Sequence, residues 1–153
     1  MFKKGVKIMI FLKDTKTYDF NKADELWFIV RKPNNQMLSL INNSKKCKWV
    51  PELSPSNQLF QQYLTWRSSG QWNTDTFLYK YTPQFLKELK YNPKARAALE
   101  TLVKTGWDKH IELICFCHDE TLCHRSIIGG ILLSQDKKIV ACDGSYIKYG
   151  LMI

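Results

Sequence analysis

The run Ile111-Glu112-Leu113-Ile114-Cys115-Phe116-Cys117, continued by His118-Asp119-Glu120-Thr121-Leu122 and then by Cys123-His124-Arg125-Ser126-Ile127-Ile128-Gly129-Gly130, decides the reading of the fold. A nearly unbroken apolar stretch, with Glu112 near its start the exception, is what a strand covered on both faces of a parallel sheet requires. The next segment is mostly polar and reads as a loop, and an apolar, glycine-containing helix follows to about Ser134. A last strand at Lys138 to Cys142 completes a strand, helix, strand unit, the building block of an α/β domain. Ligands in such sheets sit beyond the carboxyl ends of the strands, and the strand end here is Cys117.

Three helices are expected upstream. Asn92-Pro93 is a cap followed by proline at the first helical position, with Ala95, Ala98, Leu99, Leu102 and Val103 inward and Gly106 as the stop. Before it, a helix starting near Asn73 or Thr74 sets Phe77, Tyr81, Phe85 and Leu89 on one stripe, with Pro83 bending or restarting it. Ser54-Pro55 opens the first of the three by the same cap logic, carrying Leu59, Phe60, Tyr63 and Leu64 to Arg67 and ending before Gly70. Still earlier, Val6 to Leu12 and Leu26 to Val30 read as two strands around the turn-prone Lys13 to Asp24. The stretch from Lys32 to Glu52 reads as a long loop with one short element near Met37 to Ile41, of the kind on which sites are built. After Asp143-Gly144 comes a tail, Tyr146 to Ile153.

A length of 153 residues matches one compact domain, since domains cluster near roughly 100 to 150 residues. An apolar fraction of 44% with seven Gly and five Pro excludes a disordered or fibrous chain. The longest early apolar run, Ile8 to Leu12, is far short of a bilayer span. Although Lys3, Lys4 and Lys7 precede it, Lys13-Asp14 follow with no small-residue cleavage site, so the segment is expected to be a strand and the protein cytoplasmic. The net charge of +9 favours phosphate-bearing partners without naming one, because the lysines are spread along the chain. An equally good account is a solvated, lysine-rich surface.

Three of the five cysteines, Cys115, Cys117 and Cys123, fall within nine residues, together with His118, His124 and Arg125, which suits a site better than a disulfide framework. Three chemistries compete. His124 and Arg125 at a helix start suit an anion pocket. Cys123 or Cys115 suits an activated thiolate. The three thiols with one of His118 or His124 suit zinc. The structural alternative is that Cys115 is simply a small buried strand residue while His124 and Arg125 cap the helix and pair with Asp119 or Glu120. The Cys-to-Arg spacing departs from the five intervening residues of phosphatase and rhodanese loops, so no phosphocysteine enzyme is expected. Among the aromatic residues, Trp49 stands apart because it lies in the basic loop, where a base stacker would. Arg31, just past the second strand, is placed on the ligand side or else on the open surface.

Four pieces in order resemble the family of small bacterial and phage proteins known as domain of unknown function 488. They are Val30-Arg31 followed by Lys32-Pro33; Trp49, Leu53, Pro55, Ser56 and Leu59 as W-x3-L-x-P-S-x2-L; Phe77 and Tyr81 as F-x3-Y; and Cys115 with Cys123-His124-Arg125 as C-x7-C-H-R. The resemblance covers about residues 25 to 135. It implies a compact three-layer α/β domain with a mainly parallel sheet, Rossmann-like or flavodoxin-like, and it implies no reaction. Where many members carry Glu two residues after the first cysteine, this chain has Cys117 and then His118, which resembles a related phage-borne group and turns the expectation from carboxylate chemistry toward metal or redox chemistry. Carried over by position, Cys115, Cys123, His124 and Arg125 are the expected catalytic set, and Arg31, Trp49, Ser56, Tyr81, Cys117 and His118 the expected ligand contacts. The leading expectation is an anion pocket for a nucleotide, nucleoside or phosphorylated small molecule, with Arg125 holding the anion. The alternatives are a basic nucleic-acid module, zinc-stabilised through the Cys/His cluster, and a phage-borne regulator that binds a protein.

Overall fold

The computed structural model describes residues 9–153. Its strands are β1 (Ile10–Asp14), β2 (Glu25–Phe28), β3 (Cys47–Trp49), β4 (Ile111–Cys115) and β5 (Val140–Ala141). The helices are α1 (Asn35–Asn43), α2 (Asn57–Ser68), the short α3 (Thr74–Thr76), α4 (Thr82–Tyr91), α5 (Pro93–Gly106), α6 (His124–Gln135) and α7 (Ile147–Met152). All five strands are parallel, in the order β3-β2-β4-β1-β5. Register sets Asp14 beside Cys115, and Phe28 beside both Ile114 and Trp49, so four strands finish on one edge of the sheet.

Alternation along the strands divides the core. Ile111, Leu113 and Cys115 of β4, with Trp27 and Ile29, join the large cluster that includes residues of α2 and α4 through α7. Leu26, Phe28, Val30 and Ile114 face the other way, onto Met37 of α1, Ala23 and the half-buried Tyr18 and Phe20. Helices thus cover the sheet on both sides, the three-layer α/β arrangement read from the strand, helix, strand order.

Several boundaries moved for identifiable reasons. Residues 6–8 of the expected first strand lie outside the described residues, and β1 continues to Asp14, where Thr17 and Lys16 close a turn on its carboxylate. The expected long loop holds a nine-residue helix, because the Asn34 side chain accepts from Met37 N (2.9 Å) and Met37 has an apolar face of the sheet to cover. It also holds β3, which brings Cys47 into the core and Trp49 onto the sheet edge. The helix expected at Ser54-Pro55 starts two residues later: Ser56 is the cap, its Oγ accepting from Leu59 N at 3.1 Å. Gly70, at φ 73°, ends α2 by donating to Arg67 O while Gln71 donates to Trp66 O, a closure that needs the left-handed backbone. The helix restarts where Pro83 is expected to interrupt it: α4 begins at Thr82, with Pro83 in its first turn, where a missing N–H costs little. A π turn at Phe77–Tyr81 joins α3 to α4, and the Thr82 hydroxyl donates to Phe77 O (2.7 Å).

Candidate functional site

β2 leads outward to β3 on one side, whereas the adjacent β4 leads across β1 to β5 on the other. Connections that diverge from neighbouring parallel strands leave a crevice at their carboxyl ends. A cavity of about 750 Å3 lies there, a volume within the range of ligand pockets. Val30, Arg31 and Lys32 line it just past the end of β2, and Cys115 to Asp119 from the end of β4 onward. Pro55 leads into α2, whose Phe60, Tyr63, Leu64 and Arg67 form the roof, with Trp72 and Tyr81 behind and Leu122, Cys123 and His124 at the base.

The base is made of sulfur and imidazole. His124 Nε2 lies 2.7 Å from the carbonyl oxygen of Ile29, which can only accept, so this nitrogen carries a proton and Nδ1 is turned to the thiols. Nδ1 is 3.6 Å from Cys123 Sγ and 3.9 Å from Cys115 Sγ. Phe85 packs edge-on against the imidazole at 5.5 Å, which blocks its rotation. Cys115, Cys123 and His124 are all buried, and their ligand atoms lie within 4.8 Å of one another, so together they can hold a metal ion.

Burial alone would push the Cys123 thiol up, but hydrogen bonds from Cys115 and Cys117 and the His124 charge outweigh it and hold Cys123 well below the usual cysteine range. Burial would lower His124, and the Cys123 charge raises it instead. Cys117 is driven up because it donates to Cys115 and Cys123, with burial adding to the shift. For Cys115, the bond from Cys117 pulls down, while donation to Cys123 and burial prevail and the net direction is upward.

Arg125 occupies a different place from the one expected of an anion holder. It is 2% exposed, its Nε donates to Cys123 Sγ at 3.4 Å, and its Nη2 donates to the carbonyl of Cys117. The guanidinium therefore stands behind the sulfur cluster and does not line the cavity. Arg31 does line it, with its guanidinium over the Phe60 ring at 4.6 Å. Among the described residues, Arg31 Nε is the one buried side-chain nitrogen or oxygen with no hydrogen-bond partner.

His118 and Tyr81 also line the cavity. His118 Nδ1 is 3.2 Å from Oδ2 of Asp14, whose carboxyl is raised by burial but lowered further by the Lys16 amide, His118 and Thr17. Trp49 and Ser56 are not among the lining residues. The Trp49 indole donates to Val30 O (2.8 Å), and Ser56 caps α2 and meets Glu88 through both its amide and its hydroxyl. Sequence reasoning passed over Arg67, Phe60, Tyr63 and Trp72 as cavity residues. The last two meet edge-on at 4.7 Å, and Trp72 meets Tyr81 at 5.5 Å. Tyr63 reads as part of the apolar face of its helix, and Trp72 lies in the short connection between two expected helices, so neither position marks a cavity in the sequence.

A family model described as the active DUF488-N3 subclade, DUF488-N3a, matches residues 14–136. The chain belongs to that family. The DUF488-N3a match begins at the last residue of β1 and passes the end of α6, so it contains the whole crevice and the Cys-His-Arg segment. Neither the curated proteins nor the solved structures provide a match. No helix among the described residues is long and apolar enough to cross a membrane.

Proposed function

We propose that this DUF488-N3a protein binds a nucleotide, nucleoside or phosphorylated small molecule in the crevice between β2 and β4, with the Cys123-His124 base as the group that acts on it. The observation that carries the reading is Arg31. A buried guanidinium nitrogen without a partner is costly unless something supplies an acceptor, and this one belongs to a side chain facing a cavity at a switch point. Arg67 and Lys32 add positive charge around the same volume, and Phe60, Tyr63, Trp72 and Tyr81 offer ring faces and edges to a planar ligand. Arg125 contributes indirectly, by fixing the sulfur cluster and the Cys117 carbonyl from behind.

The basic segment that suggested a nucleic-acid groove is largely committed elsewhere. Lys48 Nζ pairs with Glu25 at 2.9 Å, and Lys46 Nζ caps the carbonyls of Phe20 and Ala23. Small-molecule binding is therefore the better supported reading. Thermal shift of freshly reduced protein with AMP, adenosine, ribose 5-phosphate and inorganic phosphate tests it. A ligand at 100 times its Kd adds about 2.7 kcal/mol, which raises Tm by roughly 5–10 °C for a chain of this size. The expected result is a shift with the wild type that Arg31→Gln loses. Equal shifts in both proteins would reject Arg31 as the clamp, and stabilisation by oligonucleotides alone, weakening with salt, would favour a nucleic-acid interface.

A further inference from the structure

The geometry points to a zinc site formed by Cys115 Sγ, Cys123 Sγ and His124 Nδ1, with its fourth coordination position opening on the cavity between β2 and β4. Zinc bound to thiolate at about 2.3 Å and imidazole at about 2.0–2.1 Å, in a tetrahedron, separates sulfur from nitrogen by about 3.6 Å. The two sulfur-to-nitrogen separations here are 3.6 and 3.9 Å, and all three donor atoms lie within 4.8 Å of one another, close to what such a tetrahedron requires. Few rotamer changes are needed to close it, because the ring is held at its far end by Ile29 O and on its face by Phe85.

The surroundings match what metal ligands require. A ligating histidine usually donates its other nitrogen to a carbonyl or carboxylate, which fixes the tautomer and aims the lone pair, and the bond from Nε2 to Ile29 O does this. Outer-shell partners orient and tune metal ligands, and Arg125 Nε donates such a bond to Cys123 Sγ at 3.4 Å. Charge balances as well. Two thiolates and one dication sum to zero, so a buried site of this composition avoids the cost of an uncompensated charge.

Two protein thiolates and one imidazole make a three-ligand set, the type that leaves a position for water or substrate. All three residues line the cavity, which gives the remaining face an outlet. Cys117 also lines the cavity, but its sulfur falls outside the mutually close set. The metal itself stands on the donor geometry alone. That its open position receives an oxygen or nitrogen of a bound molecule rests on the ligand-binding reading above.

Metal content by mass spectrometry on the full chain, purified under reductant, tests the first part. One equivalent of zinc per chain is expected, retained in Cys117→Ser and in Cys142→Ser, and lost in Cys115→Ser and Cys123→Ser. Because those two changes can also unfold a buried site, the wild type is stripped and reloaded with cobalt(II). Thiolate-to-cobalt charge transfer together with intense tetrahedral d–d absorption is expected, and azide should perturb the d–d bands if a position is open. A folded wild type that carries no zinc and gives no thiolate–cobalt bands would overturn the site. Loss of metal in Cys117→Ser, or bands indifferent to azide, would overturn the open position and indicate a closed four-ligand centre. Metal binding with no thermal response to any phosphate compound would instead remove the ligand reading and leave the metal in place.

Discussion

Arg125 is as buried as the leucines around it, at 2% exposure, and this determines what replacing it does. Its donors go to Cys123 Sγ and to the Cys117 carbonyl, so Arg125→Met deprives a buried sulfur and a part-buried carbonyl of their donor while preserving most of the apolar volume. Leaving a buried acceptor without its donor costs about 1–3 kcal/mol. We expect a clear fall in the urea midpoint for Arg125→Met, and a smaller one for Arg31→Gln, whose side chain faces open volume. Equal costs would contradict the different roles of the two arginines. The letters C-H-R were enough to locate the site but not to orient it. Which way Arg125 turns depends on a carbonyl eight residues earlier, and what Arg31 faces depends on α2 crossing above β2, neither of which a local pattern contains.

Among the elements, α6 and α7 show how closely backbone segments approach beneath the site. A Cβ on Gly130 would come within 1.9 Å of the Tyr146 carbonyl oxygen, and one on Gly150 within 2.5 Å of the Gly130 oxygen. The helices meet backbone to backbone, so Gly130→Ala must push α7 away. Overpacking usually costs about 1–3 kcal/mol, and here it is expected at or above the upper end because the obstacle is main chain. Gly144→Ala, with nothing within 4 Å of the added carbon, serves as the control. Comparable Tm values for the two variants would show that α7 is loosely docked. Elements with strong local signals were legible: Asn92-Pro93 before α5, Asn73 before α3, and the apolar run of β4. Those that depend on distant surfaces were not. Helix α1 owes its place to an apolar patch of the sheet, β3 needs β2 to pair with, and α7 needs the two glycines, so each read as loop or tail.

Across the whole molecule, charge is arranged by depth. At the amino end of the sheet, opposite the cavity, the carboxylate of Glu25 is buried and meets Lys48, Lys109 and the Trp27 indole. Burial raises this carboxyl, but the indole and the two ammonium groups together hold it below its ordinary value. A carboxyl depressed in the folded state adds stability that is fully present above its unfolded pKa, near 4.3, and is lost as pH falls through the folded value. Urea midpoints should therefore be flat from neutral pH down to about 5 and decline below it, with a shallower decline in Glu25→Gln. A decline unchanged by that substitution would assign the acid sensitivity to other carboxylates, Asp14 first, since it too is held low.

The strand order carries a further consequence, for the newly made chain. β4 fills the lane between β1 and β2, yet it is encoded about a hundred residues after β1. Until residue 115 has emerged from the ribosome, β1 has neither of its sheet neighbours, β4 and β5, and β2 has only β3. Long-range parallel pairing of this kind forms slowly and leaves strand edges uncovered in the meantime. Translation therefore delivers the keystone of the sheet and the sulfur cluster together, and a truncated product ending before β4 would present unpaired edges for aggregation.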